Sequence, residues 1–175
     1  RWGKLLMKVQ KLTQLALFAA MSMILSYIEV LFPFQMGIPG AKLGLANLVV
    51  LFVLYLYGIK EACYINFIRI ILMGLLFGNL YSIMYSISGA CVSMVFMVIL
   101  KRFRGFSVVG VSIMGSVGHN LGQLLIAFII TTTSGVLFYV PFLMIVGMVS
   151  GLVIGLLVRL LLLVLKGLVN REGVL

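Results

Sequence analysis

The chain has 175 residues, 64% of them hydrophobic and 9% charged, with a mean hydropathy of +1.32. That is too little charge to cover a water-soluble domain, so the composition points to a membrane protein. The 13 basic and 3 acidic residues give a formal charge of +10; the charge gathers at the ends of apolar runs, with no basic, aromatic-interleaved groove, which argues against nucleic acid and for contact with anionic lipid headgroups.

Polar breaks divide the sequence into six apolar spans, at approximately 12–32, 41–57, 62–77, 80–100, 106–130 and 136–165. A helix needs about 20 residues to cross the hydrocarbon core, so the second and third spans are short. Arg1, Lys4, Lys8 and Lys11 precede the first span, which carries Glu29 near its end and no small-x-small cleavage pattern. It reads as a retained helix rather than a signal peptide. Pro33, Gly37, Pro39 and Gly40 then mark an ordered outer loop. Gly58 to Glu61 forms an inner turn with Lys60, Gly78-Asn79 an outer turn, Lys101 to Gly105 an inner turn with three basic residues, and Thr131 to Gly135 an outer turn. Arg159, Lys166 and Arg171 close the chain. Basic residues thus mark every second break, and basic loops stay in the cytoplasm during insertion. The expected fold is all-α: one polytopic domain over 1–175, six transmembrane helices, both termini inside. Its short connections make sequential helices neighbours.

Small residues mark where helices approach in lipid. Gly147, Gly151 and Gly155 recur every four residues, as do Gly74 and Gly78, and Gly118 and Gly122; they read as packing positions. Ala16 and Ala20, with Ala19, Ser22 and Ser26 nearby, form a similar patch in the first span. Its spacing suits either a neighbouring helix or a partner protein. Cys63 and Cys91 read as small buried apolar residues, not as a disulfide or metal site.

Polar groups within the spans carry the functional signal. A charge at mid-bilayer costs about 2.5–3.5 kcal/mol on insertion scales, so it requires a partner, a wet cavity or a ligand. Arg69 stands midway along the third span, one turn after Asn66; Glu29 lies near the outer end of the first; Lys42 opens the second, with Asn47 just beyond. A Glu29–Arg69 or Glu29–Lys42 pair that only holds the bundle is one reading. The other is a positive surplus, two bases facing one acid, that suits an anionic ligand group. In the fifth span Ser112, Gly115, His119, Gly122 and Gln123 share a face at 100° per residue, flanked by Ser116 and Asn120. A single histidine there would suit plain packing. His119, Asn120 and Gln123 together carry more donors and acceptors than one helix contact absorbs, which favours a ligand site. A weaker stripe, Ser82, Tyr85, Ser86, Gly89 and Ser93, runs down the fourth span, with Asn79 and Tyr81 at its outer mouth.

Catalytic patterns are missing from the sequence. There is no aspartate, and the acids are Glu29, Glu61 and Glu172; clustered carboxylates of the kind that hold magnesium for diphosphate chemistry cannot be assembled from them. No phosphate-cradling glycine loop is present. The expectation is a protein that is not an enzyme and carries no cofactor or metal.

The stretches Ile38-Pro39-Gly40-Ala41-Lys42-Leu43-Gly44-Leu45-Ala46-Asn47 and His119-Asn120-Leu121-Gly122-Gln123 resemble the Gx family, commonly labelled heptaprenyl diphosphate synthase component I. Those proteins are similar to the substrate-binding S components of energy-coupling factor (ECF) transporters. The resemblance covers nearly the whole chain. It implies a prokaryotic cell-membrane protein with a six-helix bundle and a small-molecule ligand near its outer face. Substrate binding would fall to Glu29, Lys42, Asn47, Arg69, His119, Asn120 and Gln123. Ala16 and Ala20 would match the surface that docks on a transmembrane coupling subunit, itself served by two cytoplasmic ATPases. The synthase label conflicts with the absence of aspartate. If it has substance, the chain would be a non-catalytic membrane subunit beside a soluble prenyl diphosphate synthase.

Overall fold

The computed structural model describes residues 2–31, 44–103 and 105–172. Among them the chain is helical and without strands: α1 (Trp2–Leu31), α2 (Leu45–Leu56), α3 (Ile59–Phe77), α4 (Leu80–Arg102), α5 (Val108–Thr131), a short 3-10 turn (Ser134–Tyr139) and α6 (Val140–Glu172). Beyond Pro141 in the first turn of α6, where proline is tolerated, the described helices carry no proline, so each propagates until a local signal stops it. Asn79 opens α4 by accepting a hydrogen bond from the Ser82 amide, and Ser107 opens α5 by accepting one from Gly110. Gly58, at φ 115°, makes the α2–α3 turn in a backbone region that favours glycine.

Four helical segments are long and apolar enough to cross a membrane: Met7–Leu31, Leu80–Arg102, Val108–Thr131 and Ser134–Gly167. The other two differ from the expected spans in informative ways. α2 has 12 residues, about 18 Å at the helical rise and short of the roughly 30 Å core. α3 has 19 residues but carries Lys60, Glu61 and Arg69. α1 begins ten residues before the expected boundary, because nothing between Trp2 and Lys11 breaks a helix. The expected start of the second span, including Lys42, lies outside the described residues.

α2 packs on α1, α3 and α6, while α3 continues to α4, α4 to α5 and α5 to α6, so that α2 to α6 close a ring. α1 lies against α2 and α3. Calling the end where α1 finishes and α2 begins the upper end, the apolar core sits in the lower half. Val50, Val53 and Leu54 of α2 meet Ala62 and Ile65 of α3, Met97 of α4, Val111 of α5 and Ile154 and Val158 of α6. Lys101 closes this half: its ammonium donates to the Leu54 carbonyl at 2.5 Å and lies 4.9 Å from the centre of the Tyr55 ring. It thereby satisfies a carbonyl that the end of α2 leaves open.

The glycine ladders do pack helices. A Cβ on Gly151 would lie 2.6 Å from the Ile113 Cα, one on Gly155 2.8 Å from the Val109 Cα, and one on Gly147 3.1 Å from the Val117 Cα. α6 therefore rides backbone-to-backbone along α5, antiparallel. Gly122 does the same against α4, where a Cβ would come within 2.8 Å of the Gly89 Cα. Cys63 and Cys91 are exposed on the outside of the bundle, not buried. The neighbouring Ala62 and Ala90 are buried instead, so the rotation of α3 and α4 places each cysteine beside the interior rather than in it.

Candidate functional site

Above the apolar core the bundle holds a cavity of about 90 Å³, lined by residues of all six helices. α1 contributes Ser26 and Glu29; α2, Asn47; α3, Arg69, Met73 and Phe77; α4, Ser82 and Ser86; α5, Ser116, His119, Asn120 and Gln123; and α6, Ser150. Six of the sequence-predicted binding residues thus meet in one hollow: Glu29, Asn47, Arg69, His119, Asn120 and Gln123. Lys42, the seventh, lies outside the described residues.

The hollow carries polar groups among apolar ones because its helices turn hydrogen-bonding residues inward. Asn66, Asn120, Gln123, Ser26, Ser116 and Ser150 are all buried, a placement that hydrocarbon-facing positions would penalise. Arg69 is held from its own helix by Asn66, whose Oδ1 accepts from Nη2 at 2.6 Å, and from α1 by Ser26, whose Oγ lies 3.4 Å from Nη1. The Arg69 Nε is buried without an acceptor. Glu29 is the acid whose field reaches Arg69, yet its Oε1 accepts the Leu45 backbone amide at 2.9 Å. A carboxylate there stabilises the amide-rich start of α2. Gly44, at φ 74°, turns the chain into that helix. Glu29 thus joins the top of α1 to the top of α2 while facing the cavity.

The α5 residues differ in their work. The Asn120 Nδ2 donates to the Leu143 carbonyl at 2.8 Å in buried surroundings, tying α5 to the first turn of α6. Asn120 is therefore partly a fastening between helices, a role the sequence pattern did not separate from binding. His119 and Gln123 face α4 where Gly89 leaves room: a Cβ on Gly89 would lie 2.9 Å from the His119 Cε1 and 3.0 Å from the Gln123 Cγ. Both side chains also line the cavity.

Sequence reasoning missed Ser150 and Met73 as wall residues and took Ser26 only as part of the alanine patch. Ser150 lies between Gly147 and Gly151, and its position in a packing ladder hid it. Ala16 and Ala20 are exposed on α1, along with Leu12, Leu17, Met21 and Ile24. Among the described residues, no neighbouring helix covers them.

A model of the family described as heptaprenyl diphosphate synthase component I matches residues 18–161. The chain belongs to this family. The match reaches from the middle of α1 to the lower part of α6 and so takes in every described wall of the cavity. No curated protein and no solved structure matches the chain.

Proposed function

We propose that this member of the family is a membrane-embedded substrate-binding subunit of an ECF-type importer, capturing a small polar or anionic metabolite. One observation carries the reading: Arg69, Glu29, Asn47, His119 and Gln123, from four helices, share a cavity in the upper half of a bundle whose lower half is solid and apolar. Polar side chains that only cross-linked helices would be spread along the bundle and would need no hollow. In this reading the chain is not an enzyme; it sits in the cell membrane with both termini cytoplasmic, and its cavity opens to the outside. Lys42, which lies outside the described residues, would supply a second positive charge to the ligand. The exposed Ala16–Ala20 face of α1 docks on a transmembrane coupling subunit that works with two cytoplasmic ATPases, since small side chains let a partner helix approach closely.

Native mass spectrometry of the purified protein tests the capture step. A retained small molecule, absent from a His119→Leu variant of equal thermal stability, is the expected result; retention unchanged by that substitution would refute the site. Replacing Ala16 and Ala20 by leucine should break assembly with the coupling subunit while sparing retention. The family description favours a second reading, a non-catalytic membrane subunit of heptaprenyl diphosphate synthesis. Co-purification with a soluble synthase, without coupling ATPases, would select it.

A further inference from the structure

We infer that the cavity is built for a short monocarboxylate bearing additional hydroxyl or carbonyl oxygens, and not for a diphosphate. This rests on the small-molecule reading above and concerns what that molecule is.

Charge gives the first argument. The hydrogen-bond acceptors on the Arg69 guanidinium are neutral, Asn66 Oδ1 and Ser26 Oγ. The nearby acid, Glu29, has one carboxylate oxygen committed to the start of α2. Arg69 carries five donors in a planar fork, so these two acceptors leave the fork incompletely used. A carboxylate matches such a fork in geometry and supplies a single negative charge. A diphosphate would bring several negative charges to walls whose described charged groups are one base, Arg69, and one acid, Glu29. Its usual remedy, a divalent cation held by clustered carboxylates, has no material here: the chain has three acids, and Glu61 is bonded to Lys11 at the opposite end.

Size gives the second. At roughly 15 Å³ for each water-sized group, 90 Å³ accommodates about six such groups, the scale of a two- or three-carbon acid. Ser82, Ser86, Ser116 and Gln123 on the facing walls both donate and accept, which suits a neutral oxygen on the ligand body better than a second anion.

The test is thermal unfolding of the detergent-purified protein at pH 7 and fixed ionic strength. The probes are acetate, lactate and pyruvate, against orthophosphate, and against pyrophosphate with and without Mg²⁺. Saturable stabilisation by lactate or pyruvate, with little from the phosphates, is expected. Arg69→Lys keeps the charge but loses the fork and should weaken that response by about tenfold or more. Ser26→Asp sets a carboxylate against Arg69 from within the protein and should abolish the response in a protein that stays folded; this variant decides the matter if Arg69→Lys fails to fold. A lactate response that survives Ser26→Asp overturns the inference. So does stabilisation by pyrophosphate equal to that by lactate, or a neutral molecule found by native mass spectrometry without any carboxylate response; both of these leave the cavity a small-molecule site. No response to any probe and no retained molecule would overturn the inference and the binding-subunit reading together.

Discussion

The two halves of the bundle are held by different physics. α4, α5 and α6 are joined through glycines at Gly122, Gly147, Gly151 and Gly155, where backbone meets backbone. α1, α2 and α3 meet through larger side chains and polar ties: Lys11 to Glu61 at 2.6 Å, the Tyr57 hydroxyl to Gln14 at 2.5 Å, Glu29 to the Leu45 amide, and Arg69 to Ser26. Close backbone contact tolerates no added volume, whereas polar ties can be exchanged for others. The cavity lies on the seam, with His119 and Gln123 on the close-packed side and Arg69 and Glu29 on the tied side. A ligand that bridges the seam would bind a fixed wall and an adjustable one, an arrangement suited to capture and release.

The largest effect should come from overfilling the close-packed half. Gly151→Leu would drive a side chain into the Ile113 backbone and cost about 3 kcal/mol or more, read as lost monodisperse protein on size-exclusion chromatography. Ala16→Leu, on the exposed face of α1, should stay within about 0.5 kcal/mol. Equal damage from both would erase the contrast.

An intermediate effect should separate two neighbours on α5. Asn120→Leu removes the bond to the Leu143 carbonyl, which keeps its partner within α6, lowering stability by about 0.5–1.5 kcal/mol in a detergent melt. His119→Leu should instead lower ligand retention more than it lowers the melting temperature. If the two variants behave alike, Asn120 has no separate fastening role.

The smallest effect concerns the lower tie between α1 and α3. The hydrogen bond from Lys11 holds the Glu61 carboxyl below its usual value of 4.5, aided by its own backbone amide. A depressed carboxyl contributes its stability above pH 4.5 and loses it as the pH falls through the lower, folded-state value. Lys11 is half exposed, so the contribution should be at most about 1 kcal/mol. Glu61→Gln should flatten this part of the acid melting profile between about pH 5 and pH 3; an unchanged profile would show that the tie adds nothing.

Much was legible before any tertiary information. Six apolar runs gave six helices, the glycine spacings marked helix contacts, and Arg69, Glu29, Asn47, His119 and Gln123 stood out because hydrocarbon penalises polar groups. The cavity itself was legible only as a requirement that such groups have partners. Ser150 could not be distinguished from the packing glycines beside it, and Asn120 could not be seen to divide its work between wall and fastening. The cysteines face outward although their composition suggested burial.

The sequence alone determined that this chain is a helical membrane protein with charge at the ends of its apolar runs and a few hydrophilic groups within them, because the transfer cost of each side chain and the period of the helix are local properties. Only the tertiary structure decided that those groups meet in one hollow above a solid core. Which residues converge depends on how each helix is rotated and how closely glycine lets it approach its neighbour, and neither is set by any one helix on its own.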